Sequence, residues 1–336
     1  MERVPTVSSR GLLDLECVGR ACYLAPMKNS ERLNRRHFLH TSLLGSAALA
    51  ATSEPFRSGA AAADAPSAPV SQPRVPALDP ITSPTKVPRD PWHGLKVGVT
   101  SYTLRNFSLD QAIAMTKEAG VKYISLKDMH LPLKSTREQR QEARKKVEDA
   151  GLVLMGGGVI YIKNYEEEIQ GVFEYAKDAG MPTIICSPDP EALDAIEKAT
   201  KKYDQRIAIH NHGPTDKRYP SPLDVLRLVK DRDSRMGICM DVGHTVRIGQ
   251  DPVPVIEQCA ARLYDFHMKD VTAPTKEGKP IEVGRGVIDI VAVFKALIKV
   301  NFSNHVALEY EAHGDAPMPG MIESYAYMRG VLAAIA

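Results

Sequence analysis

From Leu95 onward, short runs rich in β-branched and aliphatic residues alternate with longer stretches whose apolar positions recur every three to four residues. Eight such runs predict strands: Lys96–Thr100, Val121–Leu126, Leu152–Met155, Thr183–Cys186, Arg206–Ile209, Met236–Met240, Arg262–Phe266 and His305–Leu308. The stretches between them carry helix signals. Ser108 with Gln111 forms a capping-box pattern ahead of Ala112–Met115. Three helices end on an Ala-Gly pair, at 119–120, 150–151 and 179–180, where glycine supplies the left-handed residue that turns the chain back into a strand.

Repeated strand–helix units of this kind give parallel strands covered by helices. Eight of them over roughly 240 residues predict a closed (β/α)8 TIM barrel, an α/β fold of one domain over 93–336. An open doubly wound sheet is the competing topology. It would want a Gly-x-Gly-x-x-Gly turn from a strand into a helix, and Gly156-Gly157-Gly158, read as the end of the third strand, lacks that context.

The first ninety residues follow a different pattern. Asn34-Arg35-Arg36-His37-Phe38-Leu39 precedes a short apolar run over 41–51, with small residues at Ala48-Leu49-Ala50. This is a charged and then hydrophobic export signal, and its paired arginines resemble a twin-arginine signal. Residues 1–51 are therefore expected to be a leader with its true start at Met27, and the mature protein to be periplasmic or otherwise exported. The apolar run is too short to insert stably in a membrane. Residues 52–92, dominated by Ala, Pro and Ser, predict a disordered linker.

Composition changes this picture little. A net charge of +2 and 25% charged residues provide no basic stripe for nucleic acid. Cys186, Cys239 and Cys259 lie far apart in apolar runs and read as buried thiols.

The candidate chemistry lies where the strands end, because barrel active sites are built there. Strands five to eight end in His210-Asn211-His212, Asp241-Val242-Gly243-His244, His267-Met268-Lys269-Asp270 and Glu309-Tyr310-Glu311. The barrel mouth would gather His210, Asp241, His267 and Glu309 into a site for one divalent metal. Two imidazoles with two carboxylates suit Mn, Co, Zn or Fe better than Ca. His212 and His244 are placed to orient ligands or substrate. Glu311, two residues past Glu309, shares its face and is read as either the true ligand or a base. Lys127, ending strand two, can steady an enolate or alkoxide, making it a catalytic candidate with Glu309 and His244. Asp128 and His130 read equally well as a solvated rim.

These motifs resemble the xylose-isomerase-like TIM-barrel superfamily of sugar phosphate isomerases and epimerases, over roughly 94–336. The resemblance rests on Met240–His244, Gly249–Pro252, His267–Asp270, Val283–Asp289 and Ala307–Glu311. It implies Asp241, His267 and Glu309 as metal ligands, His244 as a substrate contact and Arg285 as a residue that helps hold substrate. One position departs from the pattern: ketose 3-epimerases of this family carry a Glu where strand five here ends in His210. Epimerisation needs a base on each face of the reacting carbon, and a metal-bound imidazole cannot be the second carboxylate. The residues thus point to proton abstraction next to a carbonyl on a sugar or keto-sugar, by isomerisation or β-elimination. The partner is a small carbohydrate, and oligomerisation stays open. A non-catalytic sugar-binding barrel is the alternative. A DNA-repair endonuclease with three zinc ions is a weaker one, because strand ends one, three and four offer Ser101, Gly156 and Ser187 rather than ligands.

Overall fold

The computed structural model describes residues 90–335. The leader, and the linker as far as residue 89, lie outside the described residues. Eight parallel strands close into a barrel: β1 Lys96–Thr100, β2 Tyr123–Leu126, β3 Val153–Ile162, β4 Thr183–Pro188, β5 Arg206–His210, β6 Met236–Asp241, β7 Leu263–Met268 and β8 His305–Leu308. Each strand pairs with its sequence neighbours, and β8 closes on β1 through Lys96 opposite His305 and Val99 opposite Leu308. Helices α1 Leu109–Glu118, α2 Arg137–Asp149, α3 Glu166–Ala179, α4 Leu193–Tyr203 and α5 Pro222–Val229 follow the first five strands. Two helices, α6 Val242–Arg247 and α7 Pro252–Cys259, follow β6, and α8 Ile290–Lys299 and α9 Met318–Ile335 follow β7 and β8. Among the described residues no helix is long and apolar enough to cross a membrane.

The local signals act as their chemistry requires. Ser108 and Gln111 cap each other's backbone at the start of α1, and Thr136 with Gln139 repeats the device at α2. Gly120, Gly151 and Gly180 all adopt positive φ just past a helix, where a side chain would be strained. Alternation along the strands divides the core into two layers. Ile184, Cys186, Ile207, Ile209, Ile238 and Met240 join the large cluster beneath the helices. Val159, Ile185, Ala208 and Cys239, from four successive strands, form a separate cluster that fills the barrel interior.

Three details differ from expectation. Trp92, assigned to the linker, is buried and packs edge-on against Tyr325 of α9 at 6.1 Å. The third strand does not end at Gly156 but runs through the glycines to Ile162, which brings Val159 and Tyr161 to the barrel mouth. His130 is not a rim residue: it is buried, and its ring nitrogens lie 2.9 Å from Ser101 Oγ and 3.1 Å from the Phe107 carbonyl oxygen, tying the loops after β1 and β2 together.

The long loop after β7 is organised by one carboxylate. Asp270 is fully buried and accepts hydrogen bonds from the backbone N–H groups of Val271, Gly284, Gly286 and Ile288. Four charge-assisted bonds to one side chain reinforce the short antiparallel pairing of Asp270–Val271 with Pro280–Ile281 in this loop.

Candidate metal centre

β6 ends and α6 begins on the same residue. Asp241 Oδ1 caps α6 by accepting from the His244 N–H at 2.7 Å, which leaves Oδ2 facing His210 and Lys269. The Asp241 backbone is held by Asn211, whose side chain accepts from its N–H at 2.9 Å and donates to its carbonyl oxygen at 3.3 Å.

Register brings the other donors to the same level. Asp241 lies opposite His267 on β7, His267 lies opposite Ala307, and Glu309 follows two residues on. His210 Nε2 is 3.1 Å from His267 Nδ1 and 3.8 Å from Asp241 Oδ2, and His267 Nδ1 is 3.4 Å from Glu309 Oε2. One ligand atom from each of His210, Asp241, His267 and Glu309 lies within 4.8 Å of the others, and all four residues are buried. Donors bound about 2.1 Å from one divalent ion stand roughly 3–3.5 Å apart, and the separations of 3.1, 3.4 and 3.8 Å within this set come close to that spacing. His210 and His267 form a second donor trio with the thiol of Cys239, which lies deeper on β6.

Lys269 enters the same space. Its ammonium is buried 2.9 Å from Glu309 Oε2 and 3.1 Å from Asp241 Oδ2, and it also contacts Glu311 Oε1. Its stem crosses Gly243, where a Cβ would stand 2.8 Å from Lys269 Cδ. That clearance accounts for the glycine in the Asp-Val-Gly-His motif.

The charges set one another. Burial works against the Lys269 ammonium, but Asp241, Glu309 and Glu311 outweigh it and hold its pKa well above the ordinary value. Burial alone would raise Glu309, yet Lys269 and His267 keep its carboxyl well below the usual range. His267 is likewise lowered by burial and raised more strongly by Glu309 and Asp265, to about 9. Burial pushes His244 down to about 4 and His210 well below 6.5, and it lowers His212 and His130.

A pH dependence follows for the metal-free protein. Rings whose folded pKa is depressed contribute stability that is full above 6.5 and is lost as pH falls toward 4. His267, raised instead, keeps its contribution in acid and loses it as pH rises through about 9. The urea midpoint is therefore expected to be clearly lower at pH 4.5 than at pH 7. An equal or higher midpoint at pH 4.5 would contradict this charge assignment.

Above the four donors opens a cleft of about 320 Å³, lined by Tyr102, Lys127, Val159, Tyr161, His210, His212, His244, Glu309 and Glu311. Lys127 Nζ donates to the Val159 carbonyl oxygen at 2.8 Å. Tyr161 is more than half exposed and stacks against His212, with ring centroids 6.1 Å apart. The structure thus brings Lys127, His212, His244, Glu309 and Glu311 around one space. Glu309 stands within the donor set, while Glu311 stands in the wall, paired with Lys269. Arg285 is not gathered there: its exposed guanidinium pairs with Glu323 on α9, which draws it away from the cleft.

Sequence reasoning missed Lys269, Asp265, Cys239 and Tyr161. For Asp265 and Lys269 the signal was present, since they flank His267 at two residues on either side and strand alternation puts all three on one face.

A closed eight-stranded barrel with polar donors at its C-terminal mouth defines a class of TIM-barrel proteins whose sites are built from strand ends. The chain belongs to the xylose isomerase-like TIM barrel family, which it matches over residues 113–331. It is 24% identical over 183 residues to an inosose dehydratase of Clostridium beijerinckii, covering 47% of this chain and 58% of that protein. An inosose dehydratase of Lacticaseibacillus casei is 22% identical over 178 residues, covering 48% and 59%. The match therefore spans less than two thirds of either relative. Among solved structures, the 3-keto-D-glucoside 4-epimerase of E. coli shares the fold at a TM-score of 0.58 and 14% identity, covering 70% of this chain and 99% of that one.

Proposed function

We propose that this protein is a metal-dependent enzyme that removes a proton next to the carbonyl of an unphosphorylated keto-sugar or keto-cyclitol and eliminates water. The observation that carries the reading is the four-donor cluster opening directly onto a cleft lined by Glu309, Glu311, one lysine and neutral imidazoles.

His210, Asp241, His267 and Glu309 would hold the ion. When bound, a divalent metal supplies Lewis-acid polarisation of the substrate carbonyl or hydroxyl. Glu309 stays ionised at neutral pH because Lys269 and His267 stabilise its anion, so it can accept a proton, though only a weakly held one. A carbon acidified by an adjacent carbonyl meets that condition. As Glu309 takes the α-proton, the C–O bond at the β-carbon breaks. The departing oxygen takes a proton from the Lys127 ammonium, and the net loss is one water. His244 and His212, neutral through burial, donate or accept hydrogen bonds to substrate hydroxyls without adding charge. Both carboxylates of the cleft lining, Glu309 and Glu311, follow β8, and the lining residues from the ends of β5 and β6 are His210, His212 and His244. No carboxylate from another strand lines the cleft to serve a second face, which favours one-base chemistry over epimerisation. The names of the inosose dehydratase relatives support the same direction.

An unphosphorylated substrate follows from charge. Lys127 is the one cationic side chain among the cleft-lining residues, Lys269 is enclosed by three carboxylates, and Arg285 is engaged with Glu323. Among the described residues no cluster of Arg and Lys lines the cleft to receive a phosphate. The arginine pair at 35–36 supports export of the folded protein, in keeping with a substrate found outside the cytoplasm.

The test is a panel of inososes, 3-keto-sugars, free ketoses and ketose phosphates given to protein loaded in turn with Mn, Co and Zn. Release of water from a keto-substrate, seen as a new unsaturated carbonyl product, is expected. Interconversion of free sugars without elimination, or turnover unchanged by chelation, would overturn the reading. Lys127→Met is expected to lower kcat about 100-fold while metal content stays at the wild-type level. A wild-type rate would remove Lys127 from the mechanism.

A further inference from the structure

Below the donor cluster lies a second polar tier that the proposed chemistry does not use. Asp265 and His305, both 1% exposed, occupy opposing positions on β7 and β8 and point into the barrel. Asp265 Oδ1 is 3.6 Å from His267 Nε2, and its Oδ2 is 3.5 Å from His305 Nδ1. The Cys239 thiol donates to Oδ1 at 3.7 Å. His267 Nε2, Asp265 Oδ2 and His305 Nδ1 are all buried and without a hydrogen-bond partner. Unpartnered buried groups are costly, and these three have one another as nearest complements.

We infer that Asp265 is a positioning residue for the metal centre, held in plane by His305, which fixes His267 with its proton on Nε2 and its lone pair on Nδ1. The inference rests on the proposed metal site. His267 turns Nδ1 toward Glu309 and His210 and Nε2 toward Asp265. A carboxylate has only acceptor oxygens, so the nitrogen facing it must carry hydrogen. Nδ1 also faces a carboxylate, Glu309 Oε2 at 3.4 Å, but that oxygen and His210 Nε2 belong to the donor cluster. An ion held there would take the Nδ1 electron pair and leave the hydrogen on Nε2 facing Asp265. Asp265 must satisfy two imidazoles at once, and its two oxygens allow this. An Asn offers one carbonyl oxygen for the same two donors, and an Ala offers none. Partners of this kind behind a ligating histidine typically contribute 10- to 100-fold in metal affinity.

Zn²⁺ affinity measured by chelator competition on the full chain tests this, together with ¹⁵N spectra of the histidine rings. Asp265→Ala is expected to weaken Zn²⁺ binding at least 10-fold and Asp265→Asn by a smaller factor. A loss under 10-fold in Asp265→Ala would overturn the inference. The wild-type spectrum is a second readout that does not depend on whether Asp265→Ala folds. In Zn²⁺-loaded protein the His267 ring, assigned by its absence in His267→Gln, is expected to carry its proton on Nε2; a proton on Nδ1 would overturn the assignment. If the wild-type protein binds no Zn²⁺, Mn²⁺ or Co²⁺, the metal site itself falls and this inference with it. If it binds the metal and Asp265→Ala binds equally well, only the role of Asp265 is lost.

Discussion

Asp241→Ala is expected to abolish metal retention after dialysis and to lower turnover at least about 1,000-fold, with the barrel still folded. Asp241 is the donor the chain has prepared most fully. Oδ1 is committed to the His244 N–H, the backbone is pinned by Asn211 and Thr245, and Oδ2 is left facing His210 and Lys269. The substitution removes the donor and the α6 cap together, so a stability loss of about 1 kcal/mol accompanies the loss of activity. Asp241→Asn separates the two effects, because its amide oxygen still caps α6 while the charge is gone. Metal content and turnover near wild type in both variants would exclude Asp241 from the site.

Lys269→Met is the second large effect, and it reads stability rather than rate. In the metal-free protein Lys269 is the cation that allows Asp241, Glu309 and Glu311 to lie together in a buried space. Removing one partner of such a cluster leaves uncompensated charge and costs about 3–5 kcal/mol. A divalent ion at the four donors would restore positive charge beside the same carboxylates. The variant is therefore expected to unfold well below wild type without metal and to recover much of the difference when metal is added. Thermal melts with and without Mn²⁺ or Zn²⁺ measure this. Equal melting points for the two metal-free proteins would show that Lys269 does not carry the charge balance described here.

The frame of the molecule was legible because it is written in periodicity. The eight strand runs start or end within a few residues of the observed ones, and the Ser108 and Ala-Gly signals act on local backbone that no tertiary contact has to override. The longest miss, β3, passes through Gly156-Gly157-Gly158, residues that normally punctuate a strand. Here they let the chain lie against β4 so closely that a Cβ at Gly156 would meet the Thr183 carbonyl oxygen at 2.6 Å. The quartet of strand-end donors was legible for the same reason as the strands, since a barrel places successive strand ends around one mouth. Of the second tier, Asp265 carries a signal in its alternation with His267, but His305 does not, because a histidine opening β8 looks like any strand residue until register sets it opposite Asp265. Arg285 illustrates the converse. Its loop position suggested the cleft, but an opposite charge on α9, 38 residues away in sequence, takes it elsewhere.

Anomalous diffraction from crystals soaked in Mn²⁺ or Zn²⁺ tests the central claim most directly. One strong peak about 2.1 Å from His210 Nε2, His267 Nδ1 and the carboxylate oxygens of Asp241 and Glu309 is the predicted result. No peak at the barrel mouth, or one bound by other residues, would contradict it.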